Sequence, residues 1–176
     1  MSIDTTSDYH MHTRYSDGSG KINEMARAAV AAGLRQITVT DHMPLPFATY
    51  YAMEHEQIHS YRREIAAAQK QFDGQLKIGR GLEAEYISEF RPWIKEISEM
   101  GWDQLLCSIH HLPGGGKLHL VNGSLEEFTR LIEHHDNDGE KLCRNYYQTL
   151  QEGFSTGLFQ IAGHLDIIKK FNAKNI

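Results

Sequence analysis

The feature that most constrains the fold is a regular alternation of short β-branched or apolar runs with longer stretches of helix-forming residues. The runs predict five β-strands, over residues 8–12, 35–40, 75–82, 104–109 and 158–162. The intervening stretches predict helices over residues 22–32, 54–72 and 88–100, then one that begins at Ser124, after which helical character resumes over 141–150. Residues 112–122 carry three glycines and predict a mobile loop with a short extended piece near Leu118. Strands that alternate with helices are typical of a parallel α/β sheet.

Every predicted strand ends at a side chain that can bind a metal ion. In parallel α/β folds the carboxyl ends of the strands gather at one edge, and ligand sites form there. Because all five predicted strands end in this way, a shared metal site is favoured over polar surface residues that occur there by chance. The candidate ligands are His10, His12, His42, Glu83, His110 and His164.

The first strand carries a His-x-His pair, His10 and His12. Side chains alternate between the two faces of a strand, so both imidazoles are expected to project the same way, with Met11 on the other face. Alone, such a pair is equally consistent with two polar residues at a strand edge. The other four strand ends favour the metal-binding interpretation.

Composition limits the class of protein. The chain has 176 residues, which predicts one domain, and a formal net charge of -5, which argues against nucleic-acid and anionic-membrane partners. There is no apolar run near the ~20 residues of a membrane span and no signal-peptide pattern, so a cytoplasmic location is the default expectation. Cys107 and Cys143 lack metal-ligand spacing and are expected to be buried, reduced thiols.

Several motifs together resemble the polymerase-and-histidinol-phosphatase (PHP) superfamily. They are His10-Met11-His12 with Ser16-Asp17-Gly18, Thr40-Asp41-His42, Gly81-Leu82-Glu83, Ser108-Ile109-His110 and Gly163-His164. Longer stretches, over residues 41–46, 81–90 and 163–171, are similar to the histidinol-phosphatases of that superfamily. The motifs come in the family's order and span nearly the whole chain.

The resemblance implies an α/β fold, the distorted (β/α)7 barrel of the PHP type. Residues 1–176 would form its N-terminal and middle part, truncated to about five βα units. The implied activity is metal-dependent hydrolysis of L-histidinol phosphate, a small-molecule ester, to L-histidinol and phosphate in histidine biosynthesis. No nucleic-acid or membrane partner is expected, and the oligomeric state is left open.

The resemblance also implies a centre of two or three divalent ions. His10 and His12 would hold one ion, and Glu83 would bridge two. His110 and His164 would complete the shell of the second ion, while His42 and Asp17 would serve a third. Glu83 and His110 are the catalytic candidates. Imidazole with carboxylate suits Zn, Mn or Fe better than Mg or Ca.

Other polar residues are weaker candidates. His110 is preferred over His111, which is expected to lie in a loop. Glu85 shares the strand parity of Glu83 and is a weaker candidate for a place behind the metal ligands, but it is left out of the site. Asp41 is a candidate for orienting an imidazole, and Arg14 for meeting phosphate. Surface or capping roles are expected for the remaining histidines, which are His55, His59, His119, His134 and His135.

Two alternatives stay open. One is a PHP phosphoesterase acting on another phosphate ester or on nucleic acid, which the acidic charge balance disfavours. The other is a non-catalytic truncated remnant, because family members continue to a final Asp-x-His motif whereas this sequence stops at Ile176. The sequence is either a fragment of a longer protein or a shortened form. In both cases two strands and two ligands are missing, and we expect the 176-residue chain to aggregate or self-associate through an open sheet edge, with incomplete metal loading and weak phosphatase activity.

Overall fold

The computed structural model describes residues 4–172, and the elements below are those of that part of the chain. The strands are β1 (Ser7–Met11), β2 (Gln36–Val39), β3 (Lys77–Glu85), β4 (Gln104–Ser108), β5 (His111–Gly114), β6 (Lys117–Leu120) and β7 (Ile161–Ala162). The helices are α1 (Ile22–Ala31), α2 (Ile58–Gln71), α3 (Arg91–Ser98), α4 (Leu125–Glu133) and α5 (Gly139–Ser155).

The chain forms two compact units. The first unit comprises the residues up to Ala84 together with Glu96–Leu106. The second unit comprises Glu85–Lys95 and the residues from Cys107 onward. The prediction of one PHP domain over residues 1–176 stays a prediction.

The first unit is built on parallel strands in the order β1-β2-β3-β4. Ile37 of β2 pairs with Ile78 of β3, and both side chains are buried. Helix α1 separates β1 from β2 and helix α2 separates β2 from β3, as parallel pairing requires. Helix α1 ends where predicted, because Gly33 takes a left-handed φ of 81° that stops the helix. The predicted parallel α/β architecture is confirmed.

In the second unit, the Gly163 N–H, just after β7, donates a 2.8 Å hydrogen bond to the Cys107 carbonyl. Helix α4 begins at the predicted cap, with the Ser124 hydroxyl accepting the Glu127 N–H. The Glu127 carboxylate does not complete a capping box on Ser124 and instead accepts the Leu120 N–H at 2.9 Å.

Three boundary predictions are wrong. The expected extended piece near Leu118 is present as β6, but the rest of residues 112–122 is not simply a loop, because β5 pairs antiparallel with β6 across a turn in which Gly115 and Gly116 take positive φ. Strand β3 continues to Glu85, so Glu83 lies inside a strand. Strand β7 is Ile161–Ala162 and does not begin at Leu158 as predicted.

The two cysteines are free thiols, but only Cys107 is buried as predicted; Cys143 is half-buried. Burial, with the nearby Glu85 carboxylate adding to it, raises the pKa of Cys107 to about 12. Among the helices of residues 4–172, none combines the length and apolar character needed to cross a lipid bilayer.

A buried tyrosine ties two of the parallel strands together. Tyr61 of α2 is fully buried; its hydroxyl accepts the Asp41 N–H at 3.2 Å and donates to the Gly81 carbonyl at 3.0 Å. We expect Tyr61→Phe to lower the free energy of unfolding by about 1–3 kcal/mol, because a buried N–H and a buried carbonyl each lose a partner. Urea unfolding followed by circular dichroism measures this. The exposed Tyr50→Phe is the control, and an equal unfolding midpoint for both variants would contradict the assignment.

Candidate metal centre

Three imidazoles of the first unit surround a single carboxylate oxygen. Oε2 of Glu83 lies 3.1 Å from Nε2 of His10, 2.9 Å from Nε2 of His12 and 3.1 Å from Nδ1 of His42. Glu83 is 1% exposed. With Asp17, these residues form what we call the first cluster, and ligand atoms from His10, His12 and Glu83 lie within 4.8 Å of one another.

Parallel pairing brings this cluster together. After β2 ends, His42 forms a bridge with Glu83, and the Met43 N–H donates to the Glu83 carbonyl at 3.0 Å. On the other side of β2 the register shifts between Asp8 and Met11, so β1 carries one extra residue beside β2. A bulge of this kind re-aims side chains near the end of a strand. It lies immediately beside His10.

The ring nitrogens of His10 and His12 face each other, with their Nε2 atoms 3.2 Å apart. A neutral imidazole has one N–H and one bare nitrogen, so at most one of two facing nitrogens can donate to the other. A cation can accept the lone pairs of both. The donor set of imidazole nitrogens and a carboxylate oxygen therefore fits a transition-metal ion such as Zn.

Asp17 contacts the far side of His12. Its Oδ1 lies 2.7 Å from Nδ1 of His12, and its Oδ2 lies 3.8 Å from Nε2 of His42. Burial alone would lower the pKa of His12, but the carboxylates of Glu83 and Asp17 outweigh that effect, and the pKa is raised. Gly18 is needed beside Asp17, because a Cβ there would come within 2.5 Å of the His12 carbonyl oxygen.

Asp41 fixes the loop that follows His12. Its carboxylate is fully buried and accepts the Thr13 N–H at 2.7 Å, the Thr13 hydroxyl at 2.8 Å, the Ser16 N–H at 3.1 Å and the Ser16 hydroxyl at 2.6 Å. These contacts are all with the loop, and the expectation that Asp41 orients an imidazole stays a prediction. Both oxygens bind the loop, whose residues Thr13 and Ser16 immediately follow His12 and precede Asp17.

The second unit carries a similar histidine pair. Nε2 of His110 and Nε2 of His164 are 3.1 Å apart, again two nitrogens that cannot both donate. On the other side of the His110 ring, Nδ1 lies 2.6 Å from Oε2 of Glu85. We call His110, His164 and Glu85 the second cluster.

Sequence reasoning gave Glu85 little weight and left it out of the site, yet this residue is only 3% exposed. Oε1 of Glu85 accepts the backbone N–H groups of His110 and His111 at 2.9 and 2.8 Å. Burial would raise the pKa of Glu85, but the charges and hydrogen bonds of His110 and His111 lower it to about 2. The sequence signal for Glu85 was its position two residues after Glu83, which places both side chains on the same face of the strand. The prediction that His111 lies in a loop is wrong, because this residue is buried in β5.

The backbone around His164 is tightly constrained. A Cβ at Gly163 would come within 2.0 Å of the Ser108 hydroxyl oxygen, so only glycine fits at this point without a shift of Ser108. The Tyr146 hydroxyl, on α5, donates to the His164 carbonyl at 3.0 Å. These contacts hold the segment that carries the His164 ring.

The weaker candidates lie elsewhere. The Arg14 side chain is about half exposed and lies 4.0 Å from the Glu64 carboxylate. Its role in meeting phosphate stays untested. His55 and His59 are exposed, as expected for surface residues. The rings of His119 and His134 pack against each other, and His135 is buried, bonded to the Leu131 carbonyl and to Asn145.

A model of the PHP domain family matches residues 8–175 of this chain. The chain belongs to the PHP family. It is 35% identical over 168 residues to a protein of Deinococcus radiodurans named "Probable histidinol-phosphatase". That match covers 93% of this chain and 62% of the relative, so the chain spans less than two thirds of the relative's length.

Two solved structures share the fold. A protein of Listeria monocytogenes, proposed to be a histidinol phosphatase, superimposes with a TM-score of 0.83 at 19% identity, covering 94% of this chain and 69% of that one. A histidinol phosphate phosphatase of Lactococcus lactis, solved with zinc, L-histidinol and phosphate, superimposes with a TM-score of 0.66 at 22% identity, covering 94% and 59%. At these identities the likeness shows the fold, and it confirms the predicted PHP-type α/β class.

The bonds of Asp41 lead to a prediction about the Thr13–Ser16 loop. Asp41→Ala leaves two backbone N–H groups and two hydroxyls without their acceptor, so we expect the loop to open more often. Amide hydrogen exchange at Thr13 and Ser16, followed by NMR, should become at least about tenfold faster, the change expected from a loss of 1.4 kcal/mol in opening free energy. Asp73→Ala, at an exposed position of the same unit, is the control. Unchanged protection in Asp41→Ala would contradict the assignment.

Proposed function

We propose that residues 1–176 are a PHP domain with metal-dependent phosphomonoesterase activity, hydrolysing L-histidinol phosphate to L-histidinol and phosphate in histidine biosynthesis. Family membership supports a phosphoesterase, since the chain matches the PHP model over residues 8–175. The names of the Deinococcus and Lactococcus relatives support histidinol phosphate as the substrate. The proposed location is the cytoplasm, and the proposed partner is the small-molecule substrate alone.

The observation that carries the proposal is the first cluster. Three ring nitrogens lie within 3.1 Å of one buried carboxylate oxygen. A cation would bind the lone pairs that these rings and the carboxylate offer, and a carboxylate with two oxygens can serve two ions.

The proposed metal ligands of the first unit are His10, His12, Asp17, His42 and Glu83, and those of the second unit are His110 and His164. Zinc in the Lactococcus structure supports a divalent ion. Two or three ions of Zn, Mn or Fe remain the proposal, since imidazole with carboxylate suits each of these metals.

Bound divalent ions would supply Lewis-acid activation of water and neutralise charge on the phosphoryl group. The protein's own residues provide the framework for that chemistry. Glu83 and Asp17 place two carboxylates in the first cluster, which by themselves repel a phosphate dianion. In the same unit, Arg14 lies beside Glu64. Cations held by the ligands would supply charge that attracts phosphate.

Glu83 and His110 are the proposed catalytic residues, in the sense that each would hold a metal ion. Burial of Glu83 among three imidazoles fixes its carboxylate in one orientation. His110 is held on its Nδ1 side by Glu85, which leaves Nε2 as the ligand atom. Positions fixed before substrate arrives reduce the reorganisation needed during reaction.

Glu83→Gln tests the metal proposal. We expect the variant to lose more than one ion's worth of metal, because one carboxylate is proposed to serve two ions. Phosphatase activity should fall by more than about 100-fold, since metal-ion catalysis is worth several kcal/mol. Elemental analysis and release of inorganic phosphate from histidinol phosphate measure the two effects. Glu56→Gln, at an exposed position, is the control. Unchanged metal content in Glu83→Gln would remove Glu83 from the bridge.

Substrate choice tests the second half of the proposal. The metal-loaded protein should release phosphate from L-histidinol phosphate at least about tenfold faster, by kcat/KM, than from a panel of other phosphomonoesters, which corresponds to about 1.4 kcal/mol of discrimination. Single-stranded DNA should not be cleaved, because the net charge of -5 opposes binding of a polyanion. Faster hydrolysis of DNA or of a nucleotide ester would favour the alternative phosphoesterase function.

A further inference from the structure

We propose that Glu85 is a positioning residue, which fixes His110 with its proton on Nδ1 and its lone pair on Nε2 and thereby sets the metal affinity of the second cluster. The inference rests on the proposed metal-binding function. It goes beyond that function because it assigns a role to a side chain that is not itself a proposed ligand.

The first step of the argument is how fully Glu85 is engaged. Its carboxylate is buried, and both of its oxygens contact the segment His110–His111. Oε1 accepts the backbone N–H groups of His110 and His111, at 2.9 and 2.8 Å. Oε2 faces Nδ1 of His110 at 2.6 Å. One carboxylate therefore fixes the backbone and the ring of His110 together.

The second step concerns the proton on the ring. A carboxylate is only an acceptor, so the His110 nitrogen that faces it must carry a hydrogen. A neutral imidazole then has its lone pair on Nε2. That nitrogen is the one that faces Nε2 of His164 at 3.1 Å. Glu85 thus directs the lone pair of His110 toward its partner histidine.

The third step is that the backbone that carries the His110 ring is fixed and the ring is buried. The His110 carbonyl accepts the Val121 N–H at 2.8 Å, and its own N–H is held by Glu85. His110 is 3% exposed, so water does not compete freely for its ring nitrogens. A carboxylate behind a metal-binding imidazole fixes the tautomer and orientation of the ring and raises its basicity, and losing such a partner typically costs 10–100-fold in metal affinity.

The decisive variant is Glu85→Gln, which keeps the shape of the side chain. The amide oxygen can still accept backbone N–H groups, but the amide nitrogen is a donor and cannot accept the Nδ1 hydrogen of His110. We expect zinc affinity, measured by competition with a chromophoric chelator, to fall by about 10–100-fold. The control is Glu152→Gln, at an exposed position on α5 of the same unit, which should bind zinc like the original protein.

A second measurement needs no variant at this position. In the zinc-loaded wild-type protein, ¹⁵N NMR of the histidine rings should show the His110 hydrogen on Nδ1 and the metal on Nε2. Coordination through Nδ1 would overturn the inference even if Glu85→Gln failed to fold.

The outcomes separate this inference from the proposed function. If the wild-type protein and Glu85→Gln bind zinc equally well, the proposed role of Glu85 is overturned but the proposed metal centre is supported. If the original protein binds no zinc, manganese or iron, the proposed function fails, and the role of Glu85 fails with it. Weaker zinc binding in Glu85→Gln, together with the Nδ1–H signal of His110, supports both the metal centre and the positioning role of Glu85.

Discussion

The first unit depends on the burial of one carboxylate, that of Glu83. An isolated carboxylate taken out of water loses several kcal/mol of hydration, and the loss must be offset by partners. Here the partners are His10, His12 and His42, which come from two other segments of the chain. The chain pairs β1 with β2 and β2 with β3 in parallel, and the segments that follow β1 and β2 meet Glu83 as a consequence. Three imidazoles and a carboxylate so close together are the arrangement expected of a cation-binding site.

Two further buried carboxylates act on the backbone. Asp41 accepts hydrogen bonds from Thr13 and Ser16 in the first unit, and Glu85 accepts them from His110 and His111 in the second. Each carboxylate lies within two residues of a proposed ligand in sequence, yet each binds a segment at least 25 residues away. Hydrogen bonds from backbone N–H groups to a charged acceptor are stronger than neutral ones, so these contacts fix the ligand-bearing segments in place.

Glycine completes this arrangement where no side chain fits. Gly18 lies against the His12 carbonyl and Gly163 lies against the Ser108 side chain, so a Cβ at either position would displace a segment that carries a proposed ligand. Both glycines belong to motifs recognised in the sequence. Their place in the motifs therefore has a steric reason, separate from the chemistry of the neighbouring aspartate and histidine.

The sequence by itself determined the alternation of strands and helices, the parallel α/β class and the candidate ligands at or near the strand ends. These follow from local patterns: β-branched runs, helix formers, a stop at Gly33 and polar residues after apolar ones. Tertiary structure alone decided the β5–β6 hairpin, the extension of β3 past Glu83, the loop contacts of Asp41 and the burial of Glu85. The reason is physical. Strand pairing and the partner of a buried carboxylate depend on groups far away in sequence, and no local pattern of residues records which distant N–H group or ring nitrogen will meet a given oxygen.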